Sequence, residues 1–220
     1  MRTAPDTRLI EFEDWVLRVR PTAHKPARLM LLLHGFTGDE NSMWLFARDM
    51  PSEYWMVAPR APHFTEPGGF SWRAPHPGTF GRPSLEQLRP SAEALISLVD
   101  AYSASAGIDA STFDVMGFSQ GAAISNLLAF LYPHRIRRTG ILAGFVPGGL
   151  DELVLQRPLL GKPFFITHGT KDEMVPIDRA RASISLLEQA GAQVTYCEDD
   201  VGHKVSVTCL RALREFFSAP

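Results

Sequence analysis

Six short, almost uninterrupted apolar runs recur along the chain and constrain its fold more than any other feature. They read "RLMLLLHG", "YWMVAP", "TFDVMGF", "GILAGF", "PFFITHG" and "QVTYCE". A strand with one face in water alternates polar and apolar residues, whereas a continuous run means that both faces are covered. Stretches with three- and four-residue apolar spacing lie between these runs. "NSMWLFARD" is a short one and Leu85–Ala106 a long one, and residues 120–132 form another that stops at Pro133. Residues 177–190 have Pro176 before them and Gly191 after them, the expected asymmetry of helix signals, and residues 204–217 close the chain. Strand and helix alternate, so the chain is expected to be α/β, a mainly parallel sheet flanked by helices. Two alternating stretches, 9–11 and Trp15–Arg20, predict an antiparallel hairpin at the sheet edge.

A length of 220 residues with no internal repeat or low-complexity tail suits one core, so residues 1–220 are expected to form a single domain. Residues 60–83, "RAPHFTEPGGFSWRAPHPGTFGRP", fit neither period. A loop of this length inside a compact domain is functional or disordered, and its aromatics Phe64, Phe70, Trp72 and Phe80 argue against disorder. It is expected to pass over the C-terminal edge of the sheet, where ligands bind in such folds.

"DVMGFSQGAAI" sits where a buried strand hands over to an apolar helix, and its serine lies between two glycines. A turn that sharp forces Ser119 into a strained backbone region and brings positions 117 and 121 so close that side chains there would collide. The hydroxyl then stands clear of the sheet at a helix N terminus, the arrangement of a nucleophile elbow. A nucleophile needs a base, and the base needs something to orient it. Asp172 follows a strand in "FFITHGTKDEMVP", and His203 follows the last strand in "CEDDVGHKVS". All three residues lie past C-terminal strand ends, so they can converge on one edge. Their order, Ser119, Asp172, His203, is that of α/β-hydrolases.

Glu173 competes with Asp172 for the acid role. Asp199 and Asp200 suit solvated loop carboxylates, and His34 and His168, each in an "HG" pair, suit structural hydrogen bonding. The backbone N–H of Gln120 is one expected donor to a tetrahedral oxyanion. Phe36, in "HGFTGDE", is the other, with Thr37 as its runner-up. None of the seven histidines falls in a compact ligand pattern, so no metal is assigned.

"LLLHGFTGDE", "APRAP", "GFSQGAA", "HGTKDEMVP" and "GHKVS" together resemble the phospholipase/carboxylesterase family over residues 29–216. The resemblance implies an α/β-hydrolase fold without a separate cap domain and hydrolysis of carboxylic esters or thioesters without a cofactor. It places the family's triad on Ser119, Asp172 and His203 and its oxyanion donors on Phe36 and Gln120. The chain departs from many relatives at Phe36–Thr37–Gly38–Asp39, and from acyl-protein thioesterases at "SWRAP" and at Ala122. These departures favour a bacterial-type carboxylesterase over a protein depalmitoylase.

Phe70 and Trp72 are expected to line an acyl pocket, with Arg73 at its rim and Met174 nearby. The competing reading of Trp72 is an anchor holding the long loop to the body. The partner expected is a small-molecule ester. A net charge of −2 gives no reason to expect nucleic acid, and no segment reaches the ~18 apolar residues that span a bilayer. Apolar helix surfaces suit a homodimer and core-facing packing equally well. The charged N terminus does not resemble a signal peptide, so a cytoplasmic location is expected. Cys197 and Cys209, without metal-type spacing, are expected to be reduced thiols, a late disulfide being the other reading.

Overall fold

The structure, a computed structural model, describes residues 6–66, 68–74 and 83–219. Phe80 and residues 75–82 of the long loop lie outside the described residues.

The central sheet is built from strands β1 (Arg8–Phe12), β2 (Trp15–Arg20), β3 (Arg28–Leu33), β4 (Tyr54–Pro59), β7 (Phe113–Phe118), β8 (Ile136–Leu142), β9 (Pro163–Gly169) and β10 (Gln193–Asp199). Their spatial order is β1-β2-β4-β3-β7-β8-β9-β10. β1 and β2 form the N-terminal hairpin and β2 runs antiparallel to β4; every later pairing in the sheet is parallel. Two further strands, β5 (His63–Phe64) and β6 (Phe70–Ser71), make a small antiparallel pair inside the long loop.

The continuous apolar runs are explained by two cores, one on each face of the sheet. Along β3, Leu29, Leu31 and Leu33 enter one core, while Met30 and Leu32 enter the other. The first core is closed by helices α2 (Leu85–Ala106), α3 (Gln120–Leu131), α4 (Asp151–Leu155) and α5 (Ile177–Gln189). The second is closed by α1 (Trp44–Ala47) and α6 (Val207–Ser218). α2 starts with a capping box, Ser84 Oγ accepting from the Gln87 N–H and Gln87 Oε1 accepting from the Ser84 N–H, and ends at the left-handed Gly107.

Among the differences from the sequence reading are two boundaries and one whole element. β8 begins at Ile136, four residues before the apolar run, because Arg137 on it reaches the fully buried Asp114 of β7. α6 begins at Val207, where Ser206 Oγ caps it through the Cys209 N–H at 3.1 Å. α4, too short to show a period, was not expected at all.

The cysteines correct a further expectation. Cys197 on β10 and Cys209 on α6 are joined in a disulfide, with Cα atoms 5.7 Å apart. They are not the reduced thiols expected, and disulfides are rare in reducing compartments. Among the described residues, no helix is long and apolar enough to cross a membrane.

Candidate active site

Ser119 sits between β7 and α3 with φ 53° and ψ −111°, a conformation that L-residues rarely adopt. The flanking glycines permit it. A Cβ on Gly117 would lie 2.2 Å from the carbonyl oxygen of Gly121, and one on Gly121 would lie 2.1 Å from that of Leu33. The elbow therefore packs backbone on backbone, and any side chain at either position would push β7, α3 or β3 away.

The loops after β9 and β10 are stitched together, Thr170 N–H bonding Asp199 O at 2.9 Å and Lys171 N–H bonding Val201 O at 3.0 Å. This brings Asp172 beside His203, whose Nδ1 lies 2.7 Å from Asp172 Oδ2. Asp172 Oδ1 accepts the backbone N–H groups of Met174 and Val175, each at 2.9 Å. The carboxylate is buried and saturated with donors, whereas Glu173 is exposed. The ring of His203 in turn packs 4.9 Å from the ring of Phe118, the residue that precedes the serine. Serine loop, histidine and carboxylate thus occupy one edge of the sheet.

The two other "HG" histidines hold loops. His168 Nε2 meets Val175 O at 2.7 Å and lies 3.3 Å from Asp172 Oδ2, so it fixes the turn that carries the carboxylate. His34 Nε2 accepts the Ala61 N–H at 3.0 Å, which leaves Nδ1 to donate to Gly35 O at 2.7 Å. Burial, opposed by the bonds to Gly35 O and Val175 O, pushes both imidazoles below their usual range and keeps them neutral at neutral pH.

A cavity of about 300 Å³ opens beside Ser119, and Phe36, Arg73, Gln120, Phe145 and Met174 are among its walls. Phe36 and Gln120, the expected oxyanion donors, therefore face the same space as the serine. Thr37, the runner-up, has left-handed φ 63° and its N–H is taken by Phe70 O at 3.0 Å. Gln120 N–H, at the first position of α3, has no backbone acceptor among the described residues.

Of the four expected pocket residues, Arg73 and Met174 line this cavity, and Phe70 and Trp72 do not. Trp72 is fully buried behind it, its indole N–H donating to His34 O at 2.7 Å and its backbone N–H to Gln120 Oε1 at 2.9 Å. That is the anchoring role. Phe70 is held against Phe64 and under the Arg60 guanidinium, and Arg60 is paired with the buried Glu40 at 2.8 Å.

The sequence reading missed what β6 does with these residues. Phe70 clasps the turn after β3 through Thr37 N–H and Gly38 O, while Ser71 and Trp72 grip the Gln120 side chain. One strap thus ties the Phe36 turn to the start of α3. The amide side chain of Gln120, flanking the serine in "SQG", was the available signal. Phe145, which also lines the cavity, follows β8 and was read only as part of a strand.

A buried carboxylate on an imidazole, and a strained serine on a cavity that Phe36 and Gln120 also line, can support nucleophilic attack on an acyl carbon. Among the described residues, no group of three or more His, Cys, Asp or Glu side chains is placed to hold a metal ion.

Comparison with known proteins places the chain in a family. Residues 16–219 match the family described as Phospholipase/Carboxylesterase. The chain belongs to that family of ester hydrolases and has the α/β-hydrolase fold. It is 27% identical over 197 residues to acyl-protein thioesterase 1 of Debaryomyces hansenii, which covers 80% of this chain and 82% of that protein. It is 30% identical over 95 residues to carboxylesterase SOBER1 of Arabidopsis thaliana, which covers 42% of this chain and 41% of that protein. The chain thus aligns with less than half the length of the latter. Among solved structures, the carboxylesterase of Mesorhizobium loti superposes with a TM-score of 0.81 at 20% identity, covering 98% of this chain and 100% of that one. At that identity the likeness speaks for the fold.

Proposed function

We propose that the protein is a serine carboxylesterase that hydrolyses carboxylic esters through an acyl-enzyme. Ser119 Oγ attacks the ester carbonyl while His203 Nε2 takes its proton, and the oxyanion is held by the N–H groups of Phe36 and Gln120. The tetrahedral intermediate collapses, His203 returns the proton to the departing alkoxide, and an acyl-serine and a free alcohol result. Water then repeats the sequence with His203 as base, releasing the carboxylic acid and restoring Ser119. Asp172 keeps the proton of the neutral imidazole on Nδ1 and stabilises the imidazolium that forms in each half-reaction. No metal or cofactor is required by these steps.

The observation that carries this reading is the meeting at one sheet edge of a serine at φ 53° with an imidazole held 2.7 Å from a buried carboxylate. The experiment is a panel of esters and thioesters of varied chain length run on the wild type and on Ser119→Ala. Turnover of short esters that vanishes in Ser119→Ala supports it, and undiminished p-nitrophenyl ester turnover by Ser119→Ala refutes it. The name of the Debaryomyces hansenii relative supports thioester hydrolysis as the second reading, and the thioester arm of the same panel tests it. An acyltransferase using the same acyl-enzyme would instead show acylated acceptors when alcohols or amines compete with water. A non-catalytic binding protein would leave a fluorophosphonate probe unreacted.

A further inference from the structure

We propose that the strap of residues 69–72 sets the separation of the two oxyanion donors, and that Ser71 and the side-chain amide of Gln120 are its positioning residues. This rests on the esterase reading above and deepens it.

The two N–H groups assigned to the oxyanion come from different segments, Phe36 from the turn after β3 and Gln120 from the start of α3. β3 and β7 are last paired at Leu33 and Gly117, short of both donors. The strap spans the two segments beyond that point. On one side it meets the Phe36 turn backbone to backbone, Thr37 N–H donating to Phe70 O at 3.0 Å and Phe70 N–H to Gly38 O at 2.9 Å. The approach is so close that a Cβ on Gly69 would lie 2.0 Å from Thr37 O. On the other side Trp72 N–H donates to Gln120 Oε1 at 2.9 Å. That bond orients the amide, whose Nε2 then donates to Ser71 Oγ at 3.1 Å. The Ser71 hydroxyl gives its own proton to Arg73 O at 2.9 Å, which leaves its oxygen to accept. Three consecutive residues, 70, 71 and 72, thus hold both donor segments.

The strap is itself fixed to the body. The Trp72 carbonyl accepts the Ser91 hydroxyl of α2, and the indole N–H bonds the carbonyl of His34, two residues before Phe36, at 2.7 Å. At the other end the Arg60 guanidinium, paired with the buried Glu40, lies 4.8 Å from the centre of the Phe70 ring. Ser71 and Gln120 are both buried, so a partner lost from their bond is not replaced by bulk water. Ser71 is not among the cavity's described lining residues, so removing its hydroxyl leaves the substrate's contacts in place. An oxyanion donor acts from about 2.7–3.1 Å, and a misplacement of about 1 Å can cost on the order of 10²-fold in rate. Because the charge develops only in the transition state, the loss falls on kcat rather than KM.

The test uses the intact protein with Ser71→Ala, which removes the acceptor of Gln120 Nε2, and Gln120→Met, which keeps the backbone N–H and removes the amide. Active sites are counted by fluorophosphonate titration, so misfolded protein does not enter the rates. Per active site, kcat on p-nitrophenyl butyrate should fall about tenfold or more in each variant, with KM within about twofold of the wild type. A trifluoromethyl ketone reports the donors separately. Ser119 Oγ bonds to its carbonyl carbon, the carbonyl π pair becomes the oxyanion, and the serine proton passes to His203. Its Ki should rise by the factor by which kcat/KM falls. A further measurement needs no variant: in the wild type, hydrogen-exchange protection of the Thr37, Phe70 and Trp72 N–H groups should agree within about tenfold, as for one cooperative unit. Should a variant titrate no sites, that measurement decides. A kcat within twofold of the wild type, a loss confined to KM, an unchanged Ki, or an unprotected Trp72 N–H beside a protected Thr37 overturns the brace. The esterase reading survives any of these as long as Ser119→Ala is inactive. No turnover by the wild type, or undiminished turnover by Ser119→Ala, overturns both.

Discussion

Replacing Trp72 by Phe separates the two roles a tryptophan in the long loop could play. The side chain is fully buried and donates its indole N–H to His34 O at 2.7 Å. Phe removes that donor and leaves a buried carbonyl without it, which costs about 1–3 kcal/mol. The smaller ring also leaves roughly 40 Å³ unfilled, about another 1 kcal/mol at ~24 cal/mol per Å³. The sum, about 2–4 kcal/mol, lies below the ~5–15 kcal/mol of a typical domain, so the variant still folds. Urea denaturation should show a lower midpoint with an unchanged slope. Because Trp72 lies behind the cavity and grips His34 and Gln120, catalysis should fall by the same factor on acetyl, butyryl, hexanoyl and octanoyl esters. A loss that steepens with acyl length would mean that the indole touches substrate, and an unchanged midpoint would mean that its hydrogen bond contributes nothing. Either result refutes the anchor.

Three other perturbations test separate parts of the structure. Asp172→Asn should lower kcat by at least about 10³-fold while Glu173→Gln stays within twofold; the reverse pattern in steady-state kinetics would move the acid role to the exposed neighbour. Breaking the Cys197–Cys209 link, which closes a 12-residue separation, should cost about 3 kcal/mol by chain entropy, read as a lower midpoint in Cys209→Ser or under reductant; equal midpoints would contradict the pairing. His34 and His168 stay neutral in the fold below the usual imidazole value of 6.5. Unfolded chains take up protons first as pH falls through 6.5, so stability is full above that pH and drops below it by up to about 1.4 kcal/mol per unit per histidine. Chemical denaturation from pH 8 to 5 measures this, and a flat profile contradicts it.

What could be read from the sequence followed from local rules. β3, β4, β7 and β9 were visible because burial on both faces leaves short continuous apolar runs of strand length. The elbow was visible because backbone packing at Gly117 and Gly121 excludes every other residue. Asp172 and His203 were visible because each follows such a run in the expected order. What stayed hidden depended on distant partners. The polar start of β8 makes sense only once Arg137 meets Asp114, two strands' starts that sequence spacing does not relate. Cys197 and Cys209 meet because α6 folds back over β10, and a strand residue and a helix residue carry no shared period. The fate of Trp72 was undecidable locally, since an aromatic in a Gly- and Pro-rich loop suits either an anchor or a wall. Only the placement of His34 and Gln120 beside it separates the two.

The central claim is that Ser119 becomes covalently acylated. Rapid quenching of the protein during turnover of a p-nitrophenyl ester, followed by peptide mass spectrometry, measures that directly. The account predicts one acyl group, on the peptide containing Ser119 and absent from Ser119→Ala, which should also resist a fluorophosphonate. An acyl group on any other residue, or equal labelling of the wild type and Ser119→Ala, would contradict it.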